Sequence, residues 1–139
     1  MEERTEACGK RMPSWRQKED AQAPPDMMAV LVRIVRFSVT TALDNLGDCN
    51  CSRCRRLGWV MQAVPATAFT LQSGADALET YRFNTHRIEH LFCRACGIES
   101  FARGKDANGN DTVVVNVNCL ENVPEFDRAS IRHWDGKSW

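Results

Sequence analysis

Five of the seven cysteines of this 139-residue chain fall in two short stretches, and their spacing restricts what the chain can fold into. The first stretch holds Cys49, Cys51 and Cys54, and the second holds Cys93 and Cys96. Cysteines two or three residues apart on a tight turn bring their sulfurs to one tetrahedral ion, with zinc–sulfur distances of about 2.3 Å. The pattern therefore predicts a zinc-binding domain with a tight bend at the first stretch.

The spacing alone allows two ligand arrangements. In one, two cysteines of the first stretch join Cys93 and Cys96 in a closed site of four thiolates, which is purely structural. In the other, Cys49, Cys51 and Cys54 hold one zinc ion by themselves and leave its fourth position open, as catalytic zinc sites do. The spacing alone favours the closed site and leaves the open one as the alternative.

The composition indicates one soluble domain. A chain of 139 residues, 43% of them hydrophobic, buries a small core that a bound metal would help to stabilise. Its 18 basic and 18 acidic residues give a net charge of zero, so no overall field draws it to nucleic acid or to an anionic membrane. We therefore expect neither nucleic acid nor a membrane among its partners.

The beginning of the chain predicts a cytoplasmic location. Residues 1–6 are charged where a secretory signal is apolar, and the apolar stretch at residues 27–35 is far shorter than the roughly 20 residues of a membrane span. In a reducing cytosol, cysteines at this spacing are metal ligands rather than disulfide partners. Residues 1–27 are expected to form a flexible tail and residues 28–139 the zinc-binding β domain.

The remaining sequence contains many short strands separated by glycine, asparagine and proline, which predicts a mainly β domain. Residues 28–40 are dense in β-branched residues and predict one strand. Residues 113–120 form the clearest strand, which we expect at the centre of a sheet with Val113, Val115 and Val117 on one face.

Other local signals predict turns. Residues 42–48 predict a loop that leads to the first cysteines, and residues 51–57 predict one helical turn that Gly58 ends. Residues 105–110 contain an Asn-Gly hairpin signal.

Seven short motifs follow one another in order. They are the cysteine run at residues 49–58, Val-Pro-Ala at 64–66, Gly-Ala-Asp-Ala-Leu at 74–78, Tyr-Arg-Phe at 81–83, Phe-Cys-Arg-Ala-Cys-Gly at 92–97, Val-Asn-Val-Asn-Cys-Leu at 115–120 and Trp-Asp-Gly at 134–136. Together they resemble the glutathione-dependent formaldehyde-activating enzyme family, which also contains centromere protein V. The resemblance implies a β-tent fold, a catalytic zinc on Cys49, Cys51 and Cys54, and carbon–sulfur lyase chemistry on the adduct of formaldehyde with glutathione.

One family feature is missing from this chain. In the family, an upstream Cys-His-Cys-Gly supplies two cysteines that close a structural zinc site with the second pair. Here Val30 and Val32 stand at those two positions, and valine cannot ligate a metal. The structural zinc site of Cys93 and Cys96 is therefore incomplete. Either it is empty, Cys8 or a histidine completes it, or the pair shares the ion of the first stretch.

Basic residues crowd the predicted catalytic site. Arg53, Arg55 and Arg56 are candidates to bind the two carboxylates of glutathione, since a guanidinium holds a carboxylate through two hydrogen bonds; a solvated basic edge is the alternative. His90, just before the second cysteine pair, is a candidate hydrogen-bond donor to a cysteine, a proton carrier or a structural histidine.

For three further residues the sequence predicts mainly a location. His86 is expected near His90, because alternate residues of a strand share a face. His133 is expected at the surface or rim of the site. Cys119, in a valine-rich stretch, is expected to be a small buried hydrophobic residue, with a reactive thiol as the alternative.

The leading functional hypothesis is a zinc-dependent carbon–sulfur lyase that handles thiol–aldehyde adducts such as S-hydroxymethylglutathione, with glutathione and formaldehyde as its small-molecule partners. Three thiolates on Zn²⁺ leave a net charge of about −1, which favours a thiol as the fourth ligand. One alternative is a non-enzymatic zinc-binding interaction module. Another is a degenerate family member that lacks the structural zinc.

Overall fold

The structure, a computed structural model, describes residues 27–31 and 34–138. The predicted tail, residues 1–27, lies outside the described residues except for Met27, and so do Cys8 and Val32. Within the described ranges, no helix is long and apolar enough to cross a membrane.

Short strands dominate the described residues, so the predicted mainly β fold class is confirmed. The strands are β1 (Met27–Leu31), β2 (Arg36–Thr40), β3 (Gly47–Cys49), β4 (Met61–Pro65), β5 (Phe69–Ser73), β6 (Leu78–Tyr81), β7 (Glu89–Cys93), β8 (Glu99–Lys105), β9 (Asp111–Asn116) and β10 (Arg132–Trp134), and the α-helix is α1 (Ser52–Leu57). Single 3-10 turns lie at Ala66–Ala68, Ala75–Ala77, Val117–Cys119 and Gly136–Ser138. The strands pair in two sheets, with the orders β1-β2-β5 and β10-β3-β4-β9-β8-β7-β6.

The region predicted as one strand, residues 28–40, is instead a pair of antiparallel strands. β1 pairs with β2 so that Met27 lies opposite Thr40 and Leu31 lies opposite Arg36. Both halves of the region are rich in β-branched residues, so composition alone does not mark the reversal between them. The prediction of a single strand was wrong because pairing, which satisfies the backbone hydrogen bonds of both halves, depends on tertiary structure.

Strand β9 is the fourth of seven in the larger sheet, which confirms its predicted central position. Val113, Val115 and Val117 are all buried, at 2% exposure or less, as the alternation predicts. The strand ends earlier than predicted, at Asn116, whose side-chain oxygen accepts a hydrogen bond from the Asn118 N–H (3.0 Å). This local bond favours the 3-10 turn that carries the following residues.

Aromatic side chains from both sheets meet in the main core. Phe37 of β2 and Phe69 of β5 belong to the smaller sheet, and Phe101 of β8 belongs to the larger one. Their ring centroids lie 4.7 to 5.7 Å apart. Complete burial of a phenylalanine side chain contributes about 1.5–3 kcal/mol relative to exposure, so these rings hold the two sheets together.

Strands β3 and β10 form the edge of the larger sheet that carries the first cysteine stretch. They run parallel, with His133 opposite Asp48 and Trp134 opposite Cys49. Gly47 allows this pairing, because a Cβ atom there would come within 2.6 Å of the Trp134 ring. The loop predicted at residues 42–48 therefore ends in strand β3, which pairs with β10 from near the other end of the described chain.

Two local predictions are confirmed. Residues 52–57 form the short helix α1, which Gly58 ends with a left-handed backbone (φ 66°). β8 and β9 form the predicted hairpin, where Asp106 caps the turn by accepting from the Asn108 and Asn110 N–H groups, both at 2.9 Å.

Candidate metal centre

The three cysteines of the first stretch lie where β3 gives way to α1. Cys49 is the last residue of β3, Cys51 is the N-cap residue of α1, and Cys54 lies in the first turn of the helix. The Cys51 N–H donates to the Cys49 sulfur (3.4 Å), and the Cys54 N–H donates to the Cys51 sulfur (3.3 Å). The local backbone therefore directs all three side chains into one bend.

The sulfur atoms of Cys49, Cys51 and Cys54 all lie within 4.8 Å of one another. Two sulfurs on one tetrahedral zinc ion lie roughly 3.8 Å apart, because each zinc–sulfur bond is about 2.3 Å long. Among residues 34–138, this is the one group of three or more potential ligands with such spacing. The donor set fits a metal ion held by three thiolates.

The three thiols differ in how readily they lose their protons. Burial raises the pKa of Cys54 well above its ordinary value, and the Trp59 indole N–H opposes that rise. Burial also raises the pKa of Cys49. At Cys51, burial acts in the same direction, but hydrogen bonds from backbone N–H groups, that of Cys54 first, outweigh it and lower the pKa. Cys51 therefore ionises first, and a bound cation would promote ionisation of the other two.

The segment after β10 packs against the cysteine bend. The Asn50 side-chain amide donates to Asp135 Oδ1 (2.8 Å), and the Lys137 N–H donates to Asn50 Oδ1 (3.0 Å). Gly136 is buried, and a Cβ atom at this position would overlap the Cys49 sulfur. The Trp-Asp-Gly motif noted in the sequence thus supports the bend, a role that its residue types alone do not reveal.

A cleft of about 410 Å³ opens beside the bend. Its walls carry sulfur, basic, acidic and imidazole groups, including Cys49, Cys54, Arg55, Arg128, Asp48 and His133. A ligand in this cleft would therefore contact two of the three candidate metal ligands. Asp48 and Arg128 were not among the residues identified from the sequence, and no local motif marks them.

The three predicted substrate-binding arginines take different positions. Arg55 lines the cleft. Arg53 instead bonds to Glu99 through two nitrogen atoms, at 2.7 and 3.1 Å, and Arg56 donates to the Ser52 carbonyl (2.8 Å). The structure therefore brings one of the three, Arg55, to the cleft wall.

His90 lies in a buried network rather than at the cleft. Its Nδ1 is 2.7 Å from Glu99 Oε2, and the two side chains are 5% and 1% exposed. The rings of Phe83, Tyr81 and Trp59 pack around it, with centroid distances of 5.5 to 6.4 Å. Glu99 thus bridges His90 to Arg53 of α1, and no local sequence pattern marks it because its partners lie far apart in sequence.

The second cysteine pair lies in the main core. Cys93 is fully buried beside the core valines and phenylalanines, and Cys96 and Cys119 pack against the same cluster. Burial raises the pKa of Cys119 to about 12. That value is consistent with the predicted small hydrophobic residue and not with a reactive thiolate. Cys93 and Cys96 do not belong to the group of three close sulfurs at the bend.

The two remaining histidines lie in separate places. His133 lines the cleft beside the cysteine bend, where a rim position was expected. His86 adopts a left-handed backbone (φ 60°) between β6 and β7 and lines a second cleft of about 480 Å³. His90 is not among the residues that line that second cleft.

Comparisons with known proteins agree with this arrangement. The crystal structure of a Rhodobacter sphaeroides protein matches this one with a TM-score of 0.64 and 27% sequence identity, over 77% of this chain and 98% of that chain. A family model described as glutathione-dependent formaldehyde-activating enzyme matches residues 31–135, which include both cysteine stretches and the Asp135 end of the cleft. The chain therefore belongs to the glutathione-dependent formaldehyde-activating enzyme family.

Proposed function

We propose that this protein is a zinc-dependent carbon–sulfur lyase that interconverts S-hydroxymethylglutathione with glutathione and formaldehyde. The observation that carries the proposal is that Cys49 and Cys54 belong to the group of three close sulfurs and also line the cleft. Family membership supports the same substrates. A ligand in the cleft would meet the metal-binding groups directly, as catalysis requires.

Cys49, Cys51 and Cys54 are the residues that would hold the zinc ion. When bound there, the ion would supply Lewis acidity that favours the thiolate form of an incoming thiol, the form that adds to an aldehyde. The protein keeps the three sulfurs in place through the backbone hydrogen bonds of the bend and through the packing of Gly136. Cys49, Cys51 and Cys54 are free thiols, which suits the reducing cytoplasm that we propose as the location.

Arg55 and Arg128 are proposed to bind the carboxylates of glutathione. Both line the cleft, and the two acidic residues there already have partners inside the protein. Asp48 bonds to His133, and Asp135 bonds to Asn50. The cleft therefore offers two guanidinium groups to an anionic thiol without a competing free carboxylate.

The direct test measures how fast glutathione and formaldehyde exchange with their adduct. With ¹³C-labelled formaldehyde and zinc-loaded protein, NMR exchange spectroscopy should show a rate that rises in proportion to protein concentration. A rate equal to that of the protein-free mixture, with zinc content verified, would reject the proposed activity.

Two cysteine variants locate the metal. Cys51→Ser should lose zinc and the catalysed exchange together, because it removes one of three ligands. Cys96→Ser is the matched control, and it should keep both, since Cys96 does not belong to the group of close sulfurs. Zinc loss in both variants would instead indicate the closed site of four thiolates.

A further inference from the structure

We propose that His133, held by Asp48, is the catalytic residue that moves a proton between the sulfur and the oxygen of the thiol–aldehyde adduct. This inference rests on the proposed function and assigns the acid–base group of that reaction. His133 Nδ1 lies 2.7 Å from Asp48 Oδ1, and both residues line the cleft with Cys49 and Cys54.

The sheet fixes this pair at the edge that carries Cys49, and the cleft that both residues line brings them to the same space as Cys49 and Cys54. β10 runs parallel to β3, with His133 opposite Asp48 and the next residue, Trp134, opposite Cys49. The imidazole is therefore positioned by backbone pairing and not by a mobile loop. Its side chain is 58% exposed, so a molecule in the cleft can reach it.

The bond to Asp48 also sets which nitrogen of His133 faces the substrate. An ionised carboxylate only accepts hydrogen bonds, so the Nδ1 atom that contacts it carries the proton. Nε2 of the neutral ring is then an acceptor with no hydrogen-bond partner among the described residues. A thiol or hydroxyl group in the cleft can donate to that atom.

The other candidate, His90, does not suit this role. Its Nδ1 is likewise bound to a carboxylate, that of Glu99, but the side chain is 5% exposed and enclosed by aromatic rings. It is not among the residues that line the cleft. The proton carrier suggested by the sequence near the second cysteine pair is therefore reassigned to His133.

The proposed step conserves atoms and protons. In the direction of synthesis, Nε2 of His133 accepts the proton of the glutathione thiol, the sulfur forms a bond to the carbon of formaldehyde, and the carbonyl π bond opens. The resulting oxygen anion takes the proton back from Nε2, which gives the hydroxymethyl adduct and neutral imidazole. Cleavage follows the same path in reverse, with His133 first accepting the hydroxyl proton.

Other charged groups face the same space and would shape the response of the step to pH. The titratable and charged residues that line the cleft with His133 are Asp48, Cys49, Cys54, Arg55, Arg128 and Asp135. For this reason the test relies on rescue and on tautomer measurement rather than on a pH profile alone.

The first experiment compares zinc-loaded variants in the exchange assay. His133→Ala should lower the rate by about a hundredfold, within the range of general acid–base catalysis, and should keep its zinc. Added imidazole should restore part of the rate beyond its effect on the protein-free mixture, because it can occupy the vacated position. His86→Gln is the matched control, since His86 is exposed, lines a different cleft and should leave the rate unchanged.

The second experiment does not depend on activity. With ¹⁵N-labelled histidine, NMR should show His133 as the Nδ1–H tautomer in the wild type. Asp48→Asn should shift it toward the Nε2–H form, because it replaces a carboxylate that only accepts hydrogen bonds with an amide that can also donate to Nδ1.

The outcomes separate the two proposals. If the wild type accelerates exchange and His133→Ala keeps its rate within twofold while retaining zinc, the role of His133 is rejected and the proposed function stands. If the wild type itself gives the protein-free rate, both are rejected. A wild-type imidazole in the Nε2–H form would also overturn the assignment.

Discussion

At the scale of single residues, Glu99 is a buried carboxylate that depends on two side-chain partners. Its side chain is 1% exposed, and its two oxygen atoms bond separately to Arg53 and His90. A buried carboxylate is tolerated only when such partners compensate for lost hydration. Glu99 therefore ties α1, which carries Cys54, to strands β7 and β8.

Glu99→Gln should destabilise the protein by about 3 kcal/mol, as measured by urea unfolding of the zinc-loaded form, because it leaves the half-buried Arg53 without its counter-ion. The matched control is Glu89→Gln, which breaks the exposed ion pair with Arg82. Exposed pairs contribute about 0–1 kcal/mol, so this variant should unfold close to the wild type. Equal losses in the two variants would show that burial of Glu99 is not what matters.

At the scale of elements, helix α1 has only six residues, so its stability depends on the residues that cap its ends. Gly58 closes it with φ 66°, and a Cβ atom there would touch nothing within 4 Å. The cost of a side chain at this position is therefore purely conformational, about 1 kcal/mol. Since Cys54 belongs to this helix, strain at its end should reach the metal-binding bend.

Gly58→Ala should lower stability by about 1 kcal/mol and weaken zinc binding, measured by competition with a chromophoric chelator. Gly109→Ala is its matched control, because Gly109 also has a positive φ (86°) and open space, but lies in the β8–β9 hairpin. The control should lose similar stability and keep its zinc affinity. Weaker zinc binding in both variants would mean that general destabilisation, not α1, controls the site.

At the scale of the whole molecule, the main core and the candidate metal centre are separate. The rings of Phe37, Phe69 and Phe101 join the two sheets, whereas Cys54 packs in a smaller cluster with Trp59 and Met61. The fold should therefore survive loss of the metal while the bend becomes less stable.

We predict one zinc ion per chain, measured by elemental analysis, because Val30 and Val32 leave the second cysteine pair without two family ligands. Removal of that ion by a chelator should lower the melting temperature, since a ligand that binds only the folded state stabilises it. The far-UV circular dichroism should change little. Two ions per chain, or complete unfolding on metal removal, would contradict this picture.

Features set by residues close in sequence could be predicted from the sequence, whereas contacts between distant residues could not. The cysteines of the bend are within five positions of one another, so their spacing alone indicated the sulfur cluster, and Gly58 marked the helix end. Arg53 and Glu99 are 46 positions apart, and Asp48 and His133 are 85 apart. Such pairs depend on sheet register, which no local pattern encodes.

The pairing of β10 with β3 has a consequence for biosynthesis. The ribosome makes the cysteine bend first and must add about another 85 residues, at 5–20 residues per second, before the strand that walls the cleft exists. For some seconds the nascent polypeptide exposes three thiols that lack their final cover. A metal ion that arrived during that interval would meet all three sulfur ligands before the wall of the cleft beside them had formed.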